Sequence, residues 1–278
     1  MKKIGFVDYF LYEWHANNYP AFIKNVSDDY EVCCAYGKID ASPHSGVTNT
    51  QWSEKYNIPL VDTIEEVIEK CDYIVVLSPD NAEMHEELAY LPLASGKPVY
   101  IDKAFAPDSE TAKRIFARAE SFNTPVCSAS ALNFSDELKE FNRDNISFIR
   151  AIADGRFETH LIHEIEPIVV LMGEGANRVM YTGNDTTGTA IVEFPGNRLA
   201  HLTIAKNNFL FDVCYEDGTV DSREIKSPFF DNFIRAMLNF FETKTPFVSK
   251  QQTIAVIEII EAINKAKATP FTWVDIKK

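Results

Sequence analysis

The sequence predicts a two-lobed α/β protein: a doubly wound parallel sheet first, then an α+β lobe built on an open, mainly antiparallel sheet. Three observations carry that expectation. Tyr73-Ile-Val-Val-Leu77 is a continuous β-branched run, the pattern of a strand buried on both faces. Strand-like and helix-length segments alternate up to about residue 130. Beyond that point five strand candidates follow one another with no helix between them.

In chain order, Lys3-Ile-Gly-Phe-Val7 reads as the first strand, and Pro20 suits the first turn of a helix capped by Asn17 or Asn18. Tyr30 to Ala35 is the second strand, and Ala41 to Thr50 is turn-rich. Asp62-Thr63 caps a helix through Ile64, Val67 and Ile68. After the central strand, Met84, Leu88 and Leu91 recur at helical steps from Asn81 onward, and Ser95-Gly96 ends that helix. Val99-Tyr-Ile101 is the next strand, with Asp102-Lys103 at its carboxyl end, where open parallel sheets bind ligands. Asp108-Ser109 caps a helix to about Phe122, and Pro125 to Ser128 closes the first lobe.

The second lobe opens with a strand over Ile146–Ala153 and a helix over Thr159–Met172. The strands that follow are Arg178–Tyr181, Thr189–Phe194, Leu199–Ala205, Phe209–Tyr215 and Thr219–Ile225, with hairpin signals at Pro195-Gly196-Asn197 and Glu216-Asp217-Gly218. Phe209, Phe211, Val213 and Tyr215 share one face of their strand, opposite Leu210, Asp212, Cys214 and Glu216. An aromatic row of this kind is expected to be buried by self-association. Two helices close the chain. One is striped with Phe230, Phe233, Ile234, Met237 and Phe241, and the other opens at Ser249 with Gln252 at capping-box spacing.

With 278 residues, 46% hydrophobic and 24% charged, the chain is an ordinary globular one with room for lobes over 1–130 and 131–278. A net charge of −14 argues against nucleic acid or an anionic membrane as a partner. No apolar run is long enough to span a bilayer, and Asp8, Glu13 and His15 interrupt any stretch that could act as a leader after Met1-Lys-Lys-Ile. Five cysteines without paired metal spacing read as reduced thiols of a cytoplasmic protein, with Cys33-Cys34 on a buried strand.

The central segment also resembles a family. A strand, then Ser78-Pro79, a helix with His85 near its start, Gly96-Lys-Pro-Val99 and Asp102-Lys103 are similar in order to the glucose–fructose oxidoreductase and inositol dehydrogenase family, Gfo/Idh/MocA. That family's segment ends in Glu-Lys-Pro with a catalytic lysine. Here it ends in Asp102-Lys103-Ala104. The resemblance implies a Rossmann-like first lobe, NAD or NADP as cofactor, a sugar- or polyol-like substrate oxidised or reduced at a secondary alcohol or carbonyl, and a homodimer or homotetramer. It implies Lys103 as a catalytic residue and Ser78, Pro79, His85 and Asp102 as cofactor contacts. Read by itself, without the resemblance, His85 is a structural histidine.

Where a dinucleotide fold places Gly-x-Gly-x-x-Gly after its first strand, this chain has Asp8, Phe10 and Glu13. A carboxylate about 5 Å from a phosphate costs roughly 3 kcal/mol at an effective dielectric near 20. The acid that would hold a ribose hydroxyl after the second strand is missing too, since Tyr36-Gly37 occupies that end. The same loop concentrates Trp14, His15, Asn17 and Asn18, rings and amides suited to a sugar, or to packing helix on sheet. The alternative reading is therefore a cofactor-poor homologue that binds a sugar-like ligand without redox chemistry.

The second segment is Thr159-His-Leu-Ile-His163 to Gly173. The family carries an aspartate four residues before a histidine, on a helix ending in Leu-x-Gly. His163 and Leu171-Met172-Gly173 match, and Thr159 stands at the aspartate position. Thr159 is thus expected to contact substrate or His163, and His163 to be the acid–base group, with Asp154, Glu164 or Glu166 making up the lost charge. His160 is a further substrate candidate. His160 and His163 with Glu164 and Glu166 form at most half a metal site, so no metal is expected.

Overall fold

The structure, a computed structural model, describes residues 1–184, 186–206 and 208–276. The chain divides into two compact units, one of Met1–Ser128 with Phe230–Ser249, the other of Ala129–Phe229 with Lys250–Lys278.

The first unit runs β1 (Lys2–Asp8), α1 (Trp14–Val26), β2 (Tyr30–Gly37), α2 (Asn49–Tyr56), α3 (Ile64–Lys70), β3 (Tyr73–Val76), α4 (His85–Ala89), β4 (Val99–Ile101), α5 (Ser109–Ser121) and β5 (Val126–Cys127). Its five strands form one parallel sheet in the order β2-β1-β3-β4-β5. Order reverses at β1, so the carboxyl ends of β1 and β3 flank a topological switch point, where ligands of such sheets bind. Ile74, Val75, Val76 and Leu77 are fully buried, as a strand covered on both faces requires.

Two local expectations need correction. Helix α1 starts at Trp14, not after Asn17 or Asn18. Glu13 is its N-cap, its carboxylate accepting from His15 N at 2.6 Å and from Ala16 N, and Pro20 lies inside the helix. The helix expected from Asn81 to Leu91 is broken into a 3₁₀ turn over Ala82–Met84, α4, and a second 3₁₀ turn over Pro92–Ala94. Pro92 has no N–H to continue an α-helical ladder. Helix α2, with the Thr48/Gln51 capping box, starts at the end of the turn-rich Ala41–Thr50 stretch and runs on to Tyr56, where no helix was expected.

The second unit contains α6 (Asp136–Lys139), β6 (Ile146–Ala153), α7 (Phe157–His160), α8 (Ile162–Met172), β7 (Arg178–Tyr181), β8 (Gly188–Phe194), β9 (Arg198–Ile204), β10 (Leu210–Tyr215) and β11 (Val220–Glu224). Helix α9 (Phe229–Thr243) returns the chain to the first unit, and α10 (Lys250–Ala266) and β12 (Trp273–Asp275) complete the second. The seven-stranded sheet has the order β11-β10-β6-β9-β8-β7-β12. Only β6 and β9 pair in parallel among these strands; the other pairs are antiparallel. The Thr159–Met172 helix is interrupted at Leu161, whose carbonyl accepts from both Glu164 N (3.2 Å) and Ile165 N (3.1 Å) as α8 starts. The expected aromatic patch on β10 is also absent. Phe211 and Val213 are fully buried within the chain, and the half-exposed face carries Leu210, Cys214, Ile191 and His201 instead. Among the described residues no helix is long and apolar enough to cross a membrane.

Candidate active site

At the carboxyl end of β1, Asp8 is 1% exposed, with Oδ1 accepting from Tyr9 N at 2.7 Å and Oδ2 without a partner. Burial pushes its carboxyl well above the usual range, and the neighbouring Glu13 charge adds to this. Phe10 and Leu11 turn inward and are buried. Leu11 N donates to Asn49 Oδ1 at 3.1 Å, while Asn49 Nδ2 donates to Ile39 O (2.8 Å) and Gly37 O (3.3 Å). The end of β2 is therefore filled by Asn49, and a Cβ on Gly37 would come within 2.5 Å of that side chain.

Glu13 is half-buried. Burial, opposed by the charge of His15 and by the two helix amides, brings its carboxyl up to about 7. The N-terminus of a helix is where a parallel α/β fold offers amides and dipole to a phosphate. In this chain the carboxylate of Glu13 already holds two of those amides. Residues with this arrangement do not fit a pyrophosphate seated on α1.

The next residues face inward as well. His15, 8% exposed, pairs through Nδ1 with the fully buried Asp102 Oδ2, and its ring stacks on Tyr19 with centroids 4.9 Å apart. Tyr100 Oη donates to Asp102 Oδ1 at 3.4 Å. Burial alone would raise the Asp102 carboxyl, but the charge and hydrogen bond of His15, with Lys103 beside it, hold it down to about 2. Asn17 Oδ1 accepts from Trp52 Nε1 at 3.1 Å, and Asn18 Nδ2 donates to Trp14 O at 2.6 Å. Trp14 is half exposed and packs on Phe230, 4.9 Å between centroids.

At the ends of β3 and β4, Ser78 is buried in a left-handed conformation (φ 85°) and its Oγ donates to Asn81 O at 3.3 Å. His85 is fully buried, its Nδ1 3.1 Å from Phe105 O, and burial lowers its pKa. Lys103 is 6% exposed, and its Nζ donates to Pro79 O at a long 3.4 Å. A buried ammonium needs more than one such bond to repay its desolvation.

In the second unit, His163 is half-buried on α8 and its Nδ1 lies 2.6 Å from Ser130 Oγ. Ser130 was not singled out in the sequence. Its only signal there is its place just after the last parallel strand. Ser130 Oγ also accepts from Leu132 N at 3.2 Å, and Ser130 N donates to the buried Glu166 Oε2 at 2.5 Å. Burial pushes the Glu166 carboxyl up to about 8. Thr159 is spent elsewhere: its Oγ1 is 2.9 Å from His160 Nδ1, which also accepts from Arg156 N at 3.2 Å. Gly155, at φ 118°, lets the His160 ring pack close, since a Cβ there would lie 2.3 Å from it. Glu164 is fully buried toward β9, its Oε1 accepting from Thr203 N at 3.1 Å, and Asp154 is exposed. Of the three acids expected to stand in for the family's aspartate, only Glu166 reaches the histidine's partner.

A hydroxyl partner leaves His163 more options than a carboxylate would. Ser130 Oγ–H donates to Nδ1 when Nε2 carries the proton, and accepts from Nδ1–H when Nε2 is bare. His163 is thereby held in place in either neutral tautomer and, with Ser130 Oγ accepting from Nδ1–H, as the imidazolium acid.

Residues 18–129 match the family model of the Gfo/Idh/MocA oxidoreductases, described as an oxidoreductase family with an NAD-binding Rossmann fold. The match begins after the loop that holds Asp8, Phe10 and Glu13. No curated protein matches the chain in sequence. Among solved structures, GenD2 from gentamicin A biosynthesis, in complex with NAD, superposes with a TM-score of 0.81 at 12% identity, covering 100% of this chain and 97% of that one. Scyllo-inositol dehydrogenase from Lactobacillus casei, with NAD(H) and scyllo-inositol bound, gives 0.78 at 14% identity and 99% coverage of each chain. Biliverdin reductase from Synechocystis sp. PCC 6803, with biliverdin and NADP+, gives 0.72 at 12% identity over 95% of this chain and 98% of that one. At such identities these three show the fold alone. Over residues 18–129 the chain is thus similar to the Gfo/Idh/MocA oxidoreductases, and its two-sheet fold is shared along the whole chain with the solved structures named above.

Proposed function

We propose that the chain is an oxidoreductase acting on a sugar, a polyol or a related secondary alcohol or carbonyl. The observation that carries this reading is Lys103. It is a buried ammonium at the carboxyl end of β4, at the position of the family's catalytic lysine, with one long bond to Pro79 O. An ammonium so placed donates to a substrate oxygen and stabilises the negative charge that develops there. His163, in the second unit, is the group that takes or returns the proton, oriented by Ser130. The family whose model matches residues 18–129 is described as NAD-binding. The α1 N-terminus does not fit that cofactor's pyrophosphate in its usual seat, because Glu13 holds the helix amides.

A second reading follows from one specific observation, the Glu13 carboxylate on the α1 amides. It is a homologue that binds a sugar-like ligand without redox chemistry. A panel of inositols and aldoses, assayed with NAD and NADP for reduced nucleotide, separates the two. The oxidoreductase reading expects turnover with at least one polyol, reduced about a hundredfold or more by Lys103→Ala and by His163→Ala, the scale of general acid–base catalysis. Polyol binding with no nucleotide reduction would leave the second reading. Self-association and a cytoplasmic location remain part of the proposal. Association through the sheet would use the half-exposed face of Leu210, Cys214, Ile191 and His201. A mass near 31.5 kDa by light scattering would exclude it.

A further inference from the structure

Away from the strand ends, the structure gathers three of the five cysteines, which sequence spacing had left unrelated. Cys33 and Cys34 are adjacent on β2, and successive strand residues normally point to opposite faces. Here Ile4 pairs with Val32 while Gly5 pairs with Cys34, so Cys33 is the extra residue of a β-bulge. The bulge brings both thiols to Cys71, which ends α3. Cys33 Sγ lies 3.1 Å and Cys34 Sγ 3.4 Å from Cys71 Sγ, and all three sulphurs fall within 4.8 Å of one another.

The surroundings hold this cluster in place. Lys97 Nζ donates to Cys71 O at 2.6 Å and to Ile68 O, fixing the end of α3. Lys3 N donates to Asp72 Oδ2 at 2.9 Å and Asp72 N to Lys3 O at 2.8 Å, tying the next residue to β1. Gly5 is what makes room: a Cβ there would lie 2.7 Å from Cys71 Sγ and 2.4 Å from Val67 Cγ1. Cys34 and Cys71 are each 2% exposed, and the half-exposed Cys33 gives access from outside.

We propose that Cys33, Cys34 and Cys71 form a three-thiolate site for one thiophilic d¹⁰ cation of the Zn(II) or Cu(I) class. Thiolate ligands select such ions, and metal–sulphur bonds near 2.3 Å would space the sulphurs about 4 Å apart. The observed 3.1 and 3.4 Å are close enough for small side-chain rotations to open the cluster around an ion. Three thiol protons leave as the three sulphur–metal bonds form. The positive charges of Lys3, acting on Cys33, and of Lys70, acting on Cys34, offset the negative charge of the thiolates. The bound ion would clamp β2 to the turn between α3 and β3.

Cd(II) is a spectroscopic probe for such sites. Titrated into the reduced, chelator-stripped full-length protein, it is expected to bind one equivalent, give the ultraviolet thiolate-to-cadmium charge-transfer band, and raise the melting temperature. Cys71→Ser should abolish the band, while Cys127→Ser and Cys214→Ser should keep it. If Cys71→Ser does not fold, Cys33→Ser on the half-exposed bulge carries the same expectation. Competition with a Cu(I)-specific chelator then tells whether Cu(I) displaces the probe. No charge-transfer band at one equivalent, or a band that survives both Cys71→Ser and Cys33→Ser, would overturn the site.

Discussion

The ends of β1 and β4 lie at one edge of the same parallel sheet, and they spend their charged groups differently. After β1, Glu13 binds the amides of its own helix, His15 binds Asp102, and Phe10 and Leu11 pack inward. After β4, Lys103 is buried with a single long bond to Pro79 O. Apart from Asp8 Oδ2, the first region pairs its polar groups internally, while Lys103 in the second keeps donors to spare. The family-model match divides the chain in the same way, covering Lys103 and starting only after Glu13. The fold thus keeps a buried lysine at the end of β4 while the loop after β1 is built around internal partners.

The comparison can be broken at the His15–Asp102 pair, where the largest effect is expected. If the loop after β1 is structural, His15→Ala leaves Asp102 buried without its partner and should cost about 3–5 kcal/mol of stability in chemical denaturation. A loss below 1 kcal/mol would mean that the loop is not held from within. Because the Asp102 carboxyl is held down to about 2, its contribution is present above the ordinary aspartate pKa and lost as pH falls through 2.

The second unit offers a smaller test. Ser130→Ala removes the hydroxyl that holds His163 and should lower turnover about tenfold and alter the pH–rate profile, with Ser130→Thr restoring much of both. A simple loss of stability with an unchanged profile would make Ser130 only structural.

The remaining test is a pH dependence, expected at Glu166. Its folded carboxyl, raised to about 8, binds a proton that the unfolded chain has already released between the ordinary glutamate pKa and 8. Its contribution to stability is therefore full at low pH and is lost as pH rises through that window, at most about 1.4 kcal/mol per pH unit. Glu166→Gln should flatten the decline in denaturation free energy between pH 5 and 8. An unchanged slope would show that the decline has another origin.

Much of this was legible in the sequence, for identifiable reasons. The β-branched run at Tyr73–Leu77 and the alternation of strands and helices specify a buried parallel sheet, and turn chemistry brackets the strands after Arg178 to within one or two residues. Helix starts were harder. Glu13 caps α1 through its carboxylate, while Asn17 and Asn18, better caps by residue type, lie inside the helix. The face of β10 was misread because a two-residue period shows which side chains share a face, not which face the fold covers. Lys103 and His163 stood out through their family pattern. Ser130 and Asn49 did not, because their importance comes from long-range hydrogen bonds to His163 and Leu11 that no local pattern encodes. The thiol cluster stayed hidden because a bulge cancels the strand's alternation.

The central claim is that Glu13 occupies the anion-binding end of α1. Glu13 holds the two helix amides that a phosphate would need, so it should govern nucleotide binding there. Calorimetric titration with NADH at pH 8, above the Glu13 value of about 7, isolates its ionised form. The wild-type protein is expected to bind weakly and Glu13→Gly at least tenfold more tightly, given the roughly 3 kcal/mol estimated for one carboxylate near a phosphate. Micromolar wild-type affinity left unchanged by Glu13→Gly would contradict it.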